Sequence, residues 1–184
     1  MKKFLTFALS LTLMTALIFC FTACKKGDDD PAISLRSRDA RITGEWKLTQ
    51  AEIMHTVEWD GIKVSYHNSF SGSIMTSSYS VNGISETAFS TFSMNLTLDK
   101  GGKMKTQSIT DGDISEETGY WSWINTTKNK TGISISEDFG SYEVLELRNS
   151  KMVLISENSS FFKELGSSDS ERLNEKFTMT FEKK

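Results

Sequence analysis

His55 and His67 are the chain's two imidazoles, and they flank an Asp60-Gly61 turn signal. Histidines across a hairpin are the simplest start of a metal site, because directly opposed Cβ atoms lie about 5 Å apart. Whether they oppose depends on the loop. Two residues in the turn set Met54 against His67 and send the imidazoles to opposite faces, whereas three set His55 against His67. No third ligand is spaced to join them, so two surface histidines and no metal are expected. The run Asp111-Gly112-Asp113-Ile114-Ser115-Glu116-Glu117 has the acidity of a calcium loop but not its pattern. Glu116 stands where the invariant Gly belongs and Ser122 where the bidentate Glu belongs, which leaves an exposed acidic turn. Serine is abundant, yet no Gly-x-Ser-x-Gly elbow presents one as a nucleophile. No Gly-Lys loop is present to cradle phosphate, and no spacing selects a catalytic pair among Glu45, Glu52 and Glu58. The sequence supplies no catalytic residue and asks for no cofactor.

Cys24 offers a different chemistry through what precedes it. Met1-Lys2-Lys3 is a short basic start, Phe4 to Phe21 is almost unbroken apolar sequence, and Phe21-Thr22-Ala23 leads into the thiol. That is the layout of a secretory signal peptide with a small-residue cleavage site. With Cys directly after the cut, it resembles the lipobox of bacterial lipoproteins. The resemblance implies diacylglycerol on the Cys24 thiol, removal of residues 1–23 and acylation of the new amino terminus. An uncleaved anchor is the rival reading, since a bilayer span needs about 20 residues. Against it, Asp28-Asp29-Asp30 follow closely and no stop-transfer pattern appears. One acyl chain holds only weakly, at about 0.8 kcal/mol per buried methylene, and two or three hold firmly.

Residues 24–40 read as a flexible tether: Lys25-Lys26-Gly27-Asp28-Asp29-Asp30-Pro31 is charged, holds the only proline and has nothing to bury. Extended, such a stretch reaches ~55 Å at about 3.3 Å per residue. Lysine followed by acidic residues also resembles the surface-export signal of Bacteroidota lipoproteins, with Gly27 interrupting it. Lys25 after the Cys fits outer-membrane sorting in the same families. The expected location is the bacterial cell envelope, in the outer membrane, with the periplasmic and surface faces both open.

Without the leader, 161 residues form one domain, large enough for a core that needs no staples. Cys20 leaves with the leader and Cys24 carries lipid, so the mature domain has no disulfide, Cys-bound metal or cysteine nucleophile. Losing Lys2 and Lys3 moves the formal net charge from −3 to −5, which argues against nucleic acid as a partner.

These residues must be held by strands. Asp60-Gly61, Asn82-Gly83 and Gly101-Gly102 are two-residue turn signals, with Asn149-Ser150 a weaker one. Ala88, Phe92, Met94, Leu96 and Leu98 share one face; Phe177, Met179 and Phe181 alternate with Thr178, Thr180 and Glu182. Period two with one apolar face means a half-buried antiparallel sheet. Strands are predicted near 44–58, 62–70, 73–81, 84–98, 103–110, 118–125, 131–136, 141–148, 151–157 and 175–183. Trp46 and Leu48 have one parity and Ala51, Ile53 and Val57 the other, so a bulge near Thr49–Ala51 is expected. Ser168-Asp169-Ser170-Glu171 has capping-box spacing before Arg172-Leu173, which predicts a turn or two of helix in the 161–174 connection. The fold class is all-β, an antiparallel up-and-down barrel of 8–10 strands, with a sandwich as the alternative.

Gly44-Glu45-Trp46-Lys47-Leu48 opens the first strand. Leu98-Asp99-Lys100-Gly101-Gly102, Gly119-Tyr120-Trp121-Ser122-Trp123, Tyr142 to Leu147 and Phe177 to Phe181 follow in order. This series resembles the small lipocalin-like domains of Bacteroidota lipoproteins, over nearly all of residues 41–184. The resemblance implies a lipocalin-like (calycin) barrel that binds a small hydrophobic ligand; with no catalytic constellation in the sequence, no enzyme is expected. Which of Trp121 and Trp123 points inward stays open. Residues expected inside are Trp46, Leu48, Phe92, Met94, Leu96, Trp121, Trp123, Phe177, Met179 and Phe181. They either line a ligand cavity or fill the barrel. A filled barrel makes the protein a module that contacts an envelope protein or glycan through its loops, with Phe161-Phe162 in the 158–174 connection the best candidates.

Overall fold

The computed structural model describes residues 36–124, 130–136, 140–163 and 170–184. Residues 1–35, with the leader, Cys24 and most of the tether, lie outside the described residues. So do Ser168, Asp169 and the side chains of Phe161 and Phe162. Among the described residues one short helix, α1 (Arg38–Ile42), precedes ten strands. These are β1 (Gly44–Trp59), β2 (Ile62–Ser71), β3 (Ile74–Val81), β4 (Ile84–Leu98), β5 (Lys103–Thr110), β6 (Asp113–Trp123), β7 (Gly132–Ile135), β8 (Gly140–Leu147), β9 (Lys151–Lys163) and β10 (Ser170–Lys183). All pair antiparallel, and β1 closes on β10 to make a barrel.

Turn chemistry explains much of this order. Asp60 and Gly61, like Asp111 and Gly112, both sit at positive φ. That is the backbone a two-residue hairpin demands, and Asp and Gly tolerate it. The acidic run is therefore not one turn: only Asp111-Gly112 turns, and Asp113 onward is strand β6. Asp111 Oδ1 also accepts from Thr91 N (2.7 Å) and Thr91 Oγ1 (3.0 Å), so the carboxylate serves the turn. Gly101-Gly102 belongs to a longer connection over 99–102, tied by Asp99 Oδ1 to Lys103 N at 2.8 Å. The described ends of the 161–174 connection, where a turn or two of helix is expected, are instead strand: β9 runs to Lys163 and β10 starts at Ser170, with Arg172 paired to Phe161 and Leu173 to Ser160. Cross-strand pairing supplies the backbone partners that a short, unpacked helix would lack.

β1 changes neighbours along its length. Its first residues, Gly44 to Lys47, pair with β4, and from Gln50 it pairs with β2. The register shift against β10 falls between Leu48 and Gln50, so the expected bulge stands where the partners change. There the β2–β3 hairpin enters as a wedge. Gly72 N donates to Thr49 O (3.3 Å), and Phe92 N donates to Ser73 O (2.9 Å). Below the wedge eight strands close a narrow ring; above it β9-β10-β1-β2-β3-β4 form a broad, cupped wall.

The ring is packed solid. Trp46, Leu96, Leu98, Ile133, Val144, Leu147, Met152, Leu154 and Phe181 are fully buried, as expected where an eight-stranded barrel is just wide enough for its own side chains. Helix α1 plugs its lower end, so the tether expected over 24–40 stops short of it. Ser37 Oγ caps the helix by accepting from Ala40 N at 3.2 Å. Arg38, Arg41 and Ile42 are buried; the Arg41 guanidinium donates to Leu147 O, and Arg38 lies 5.7 Å over the Trp123 ring. Trp46 Nε1 donates to Ile42 O at 2.7 Å. Lys183 Nζ stands 4.9 Å above the same indole and donates to Arg41 O (3.0 Å) and Thr43 O (2.7 Å). Desolvation in that seat holds the Lys183 ammonium below its ordinary range, and Arg36 pushes the same way.

Candidate functional site

The wedge leaves a space above the ring. A cavity of about 480 Å³ lies between the cupped wall and the Gly140-Ser141-Tyr142 segment of β8. Two added strands widen the barrel, and the side chains that fill the lower ring have no counterparts there. Phe70 on β2 meets Phe92 on β4 edge to face, with centroids 5.4 Å apart and planes at 80°. This aromatic pair bridges the seam between hairpin and ring.

The ten residues expected inside divide between two levels. Leu48, Phe92, Met94, Phe177 and Met179 line the cavity. Trp46, Leu96, Trp121, Trp123 and Phe181 lie in the packed core, away from the lining. Both indoles of β6 point inward. Trp121 Nε1 donates to Asp99 O (2.9 Å) and Trp123 Nε1 to Asp39 Oδ1 (2.7 Å), with the two rings edge to face. Sequence reasoning missed Ala51, Ile53, Phe70, Met75 and Tyr142 as lining residues. Phe70 and Met75 had a legible signal: a two-residue turn at Gly72-Ser73 sets one opposite the other, as observed. Their serine-rich strands obscured it.

Directly paired residues share a face, so the inner wall can be read as rows. The deepest row runs Met75, Phe70, Ala51, Met179, Leu154 and is apolar. The next runs Ser77, Asn68, Ile53, Phe177, Ser156 and is mixed. The third runs Glu86, Tyr79, Tyr66, His55, Glu175, Asn158. Polarity therefore rises from the floor to the rim.

His55 belongs to that third row and His67 to the outer face, because the loop holds two residues and Met54 opposes His67. His55 Nδ1 lies 2.9 Å from Glu175 Oε1, and His67 Nε2 lies 3.4 Å from Glu52 Oε1. Each imidazole has its own carboxylate. Among the described residues, no three of His, Cys, Asp and Glu gather as metal ligands.

Tyr142 is the buried titratable group of the cavity wall, 8 % exposed. Desolvation pushes its hydroxyl above the ordinary tyrosine value of 10.0. The folded state thus keeps a proton that the unfolded chain gives up. Its contribution to stability is complete below the unfolded value and is lost as pH rises through the folded one. Spectrophotometric titration should show one tyrosine ionising late, and Tyr142→Phe should flatten the alkaline limb of the stability profile. An unaltered limb in that variant would show that Tyr142 is solvated.

Comparison with protein-family models, with curated proteins and with solved structures found no match to this chain. The fold and the cavity therefore define a class only: an all-β barrel with a packed lower ring and an open upper chamber.

Proposed function

We propose that this protein is an envelope lipoprotein, moored to the outer membrane through acyl chains on Cys24, whose lipocalin-like barrel binds a small hydrophobic ligand without catalysis. The apolar chamber carries the reading. At about 480 Å³ it falls within the range of small-molecule sites, and its lining combines aromatic, aliphatic and methionine side chains with a few polar groups. A filled barrel acting only through its surface would not need such a space.

A neutral apolar dye, N-phenyl-1-naphthylamine, tests this directly. It is expected to bind saturably at one site with enhanced fluorescence. Ala51 lies on the deepest row, so Ala51→Trp should place an indole in the chamber and weaken dye binding by about tenfold or more. Thermal stability should change little, because the added ring enters existing space instead of overpacking a full core. Dye binding that is unsaturable, or indifferent to Ala51→Trp, would remove the chamber from the function.

A further inference from the structure

The rim of the chamber carries information about the ligand's polar end. We infer that the chamber selects amphiphiles with a cationic head over those of equal length with a carboxylate; the inference rests on the binding reading above and specifies its ligand class. The rim row at His55 stands four residue steps along the extended strand from the floor row at Ala51, about 13 Å at 3.3 Å per residue. An alkyl chain laid along Met179, Ile53 and Phe177 therefore brings its head to Glu175.

Glu175 is well placed to receive a cation. Its side chain is 27 % exposed and lines the chamber. Oε1 is engaged by His55 Nδ1 at 2.9 Å, whereas Oε2 has no hydrogen bond among the described residues. The aromatic neighbours act in the same direction. His55 and Tyr66 meet edge to face at 5.9 Å, and Tyr66 and Tyr79 lie 4.8 Å apart along the row. Aromatic π-faces attract cations and repel carboxylates. Among the described lining residues there is no lysine or arginine. Lys63 and Lys176 project from the other face of the same wall, opposite Glu58 and bonded to Glu157 respectively. A carboxylate head at the rim would lose water, meet the Glu175 carboxylate and find no lysine or arginine among the described lining residues.

The test is calorimetric titration of the full chain carrying Cys24→Ala, so that no acyl chain competes. The probes are n-dodecylammonium, n-dodecanol and n-dodecanoate, each below its micellar concentration. Dodecylammonium should bind about tenfold tighter than dodecanoate, the scale of one charge-assisted hydrogen bond with cation–π support. Glu175→Gln should bring the two affinities to within about threefold. In the chain with Glu175 intact, raising the salt should narrow the gap, since a partly exposed pair is screened. Dodecanoate binding as tightly as dodecylammonium, or a preference untouched by salt and by Glu175→Gln, overturns the inference while dodecanol binding upholds the chamber. Failure of all three probes overturns both.

Discussion

Trp46→Ala should cost about 3–5 kcal/mol of folding stability, the range for deleting a fully buried aromatic side chain. Urea denaturation followed by far-ultraviolet circular dichroism would measure it. Several losses coincide at this residue. The indole is completely buried between β4 and β10. Its Nε1 donates to Ile42 O, so truncation also leaves a buried carbonyl without its partner. Its face carries the Lys183 ammonium, which in turn holds the Arg41 and Thr43 carbonyls. Domains of this size are stable by only about 5–15 kcal/mol, so the variant should be close to unfolding at ordinary temperature. Trp46→Phe should recover most of the loss and leave about 1 kcal/mol for the missing hydrogen bond. Phe89→Ala is the matched control: this large side chain is 72 % exposed on the outer face, and its removal should cost no more than about 0.5 kcal/mol. A Trp46→Ala loss as small as that control would mean that α1 does not seal the ring.

Cys24→Ala should release the protein from the membrane fraction altogether. Under the reading proposed above, the acyl chains on that residue supply the membrane affinity, at about 0.8 kcal/mol per buried methylene. On the outward face of β1 to β4, Glu52, Thr56, His67, Ser69, Thr76, Ser78 and Thr87 interrupt the exposed Met54, Ile74 and Phe89, where a spanning barrel would carry a continuous apolar band. Among the described residues no helix is long and apolar enough to cross a membrane. Cell fractionation with metabolic labelling by a fatty acid would read both anchoring and lipidation. Protein still pelleting with membranes in the unlabelled variant would show that the apolar leader, or the barrel surface, holds it there.

Glutamate and histidine placement shows where sequence reasoning stopped. The pairing of Met54 with His67 turned on one loop residue, and Asp60-Gly61 implied the shorter loop that is observed. That His55 would then meet Glu175, 120 positions away, followed from the β1–β10 closure and from no local pattern. The phase change between Leu48 and Ala51 announced a bulge, but not that β1 exchanges β4 for β2 there. The terminal hairpin ran longer than expected because residues 158–163 and 170–174 lack alternation strong enough to mark them as strand. Their ladder is backbone to backbone, which any non-proline sequence can make.

The chain on its own determined the all-β class, most strand spans and the inward faces of β1, β4 and β10. Alternation of period two and Asp-Gly or Asn-Gly turns act over a few residues, and those signals survive in a single sequence. Tertiary structure decided that the second and third strands form a wedge, that the ring below it is full and that the space above it is empty. Barrel width depends on how many strands share the circumference at each height, a count made by pairings between distant segments. The same ten apolar residues could have filled one core. The wedge divided them, leaving five beneath a chamber whose rim presents Glu175.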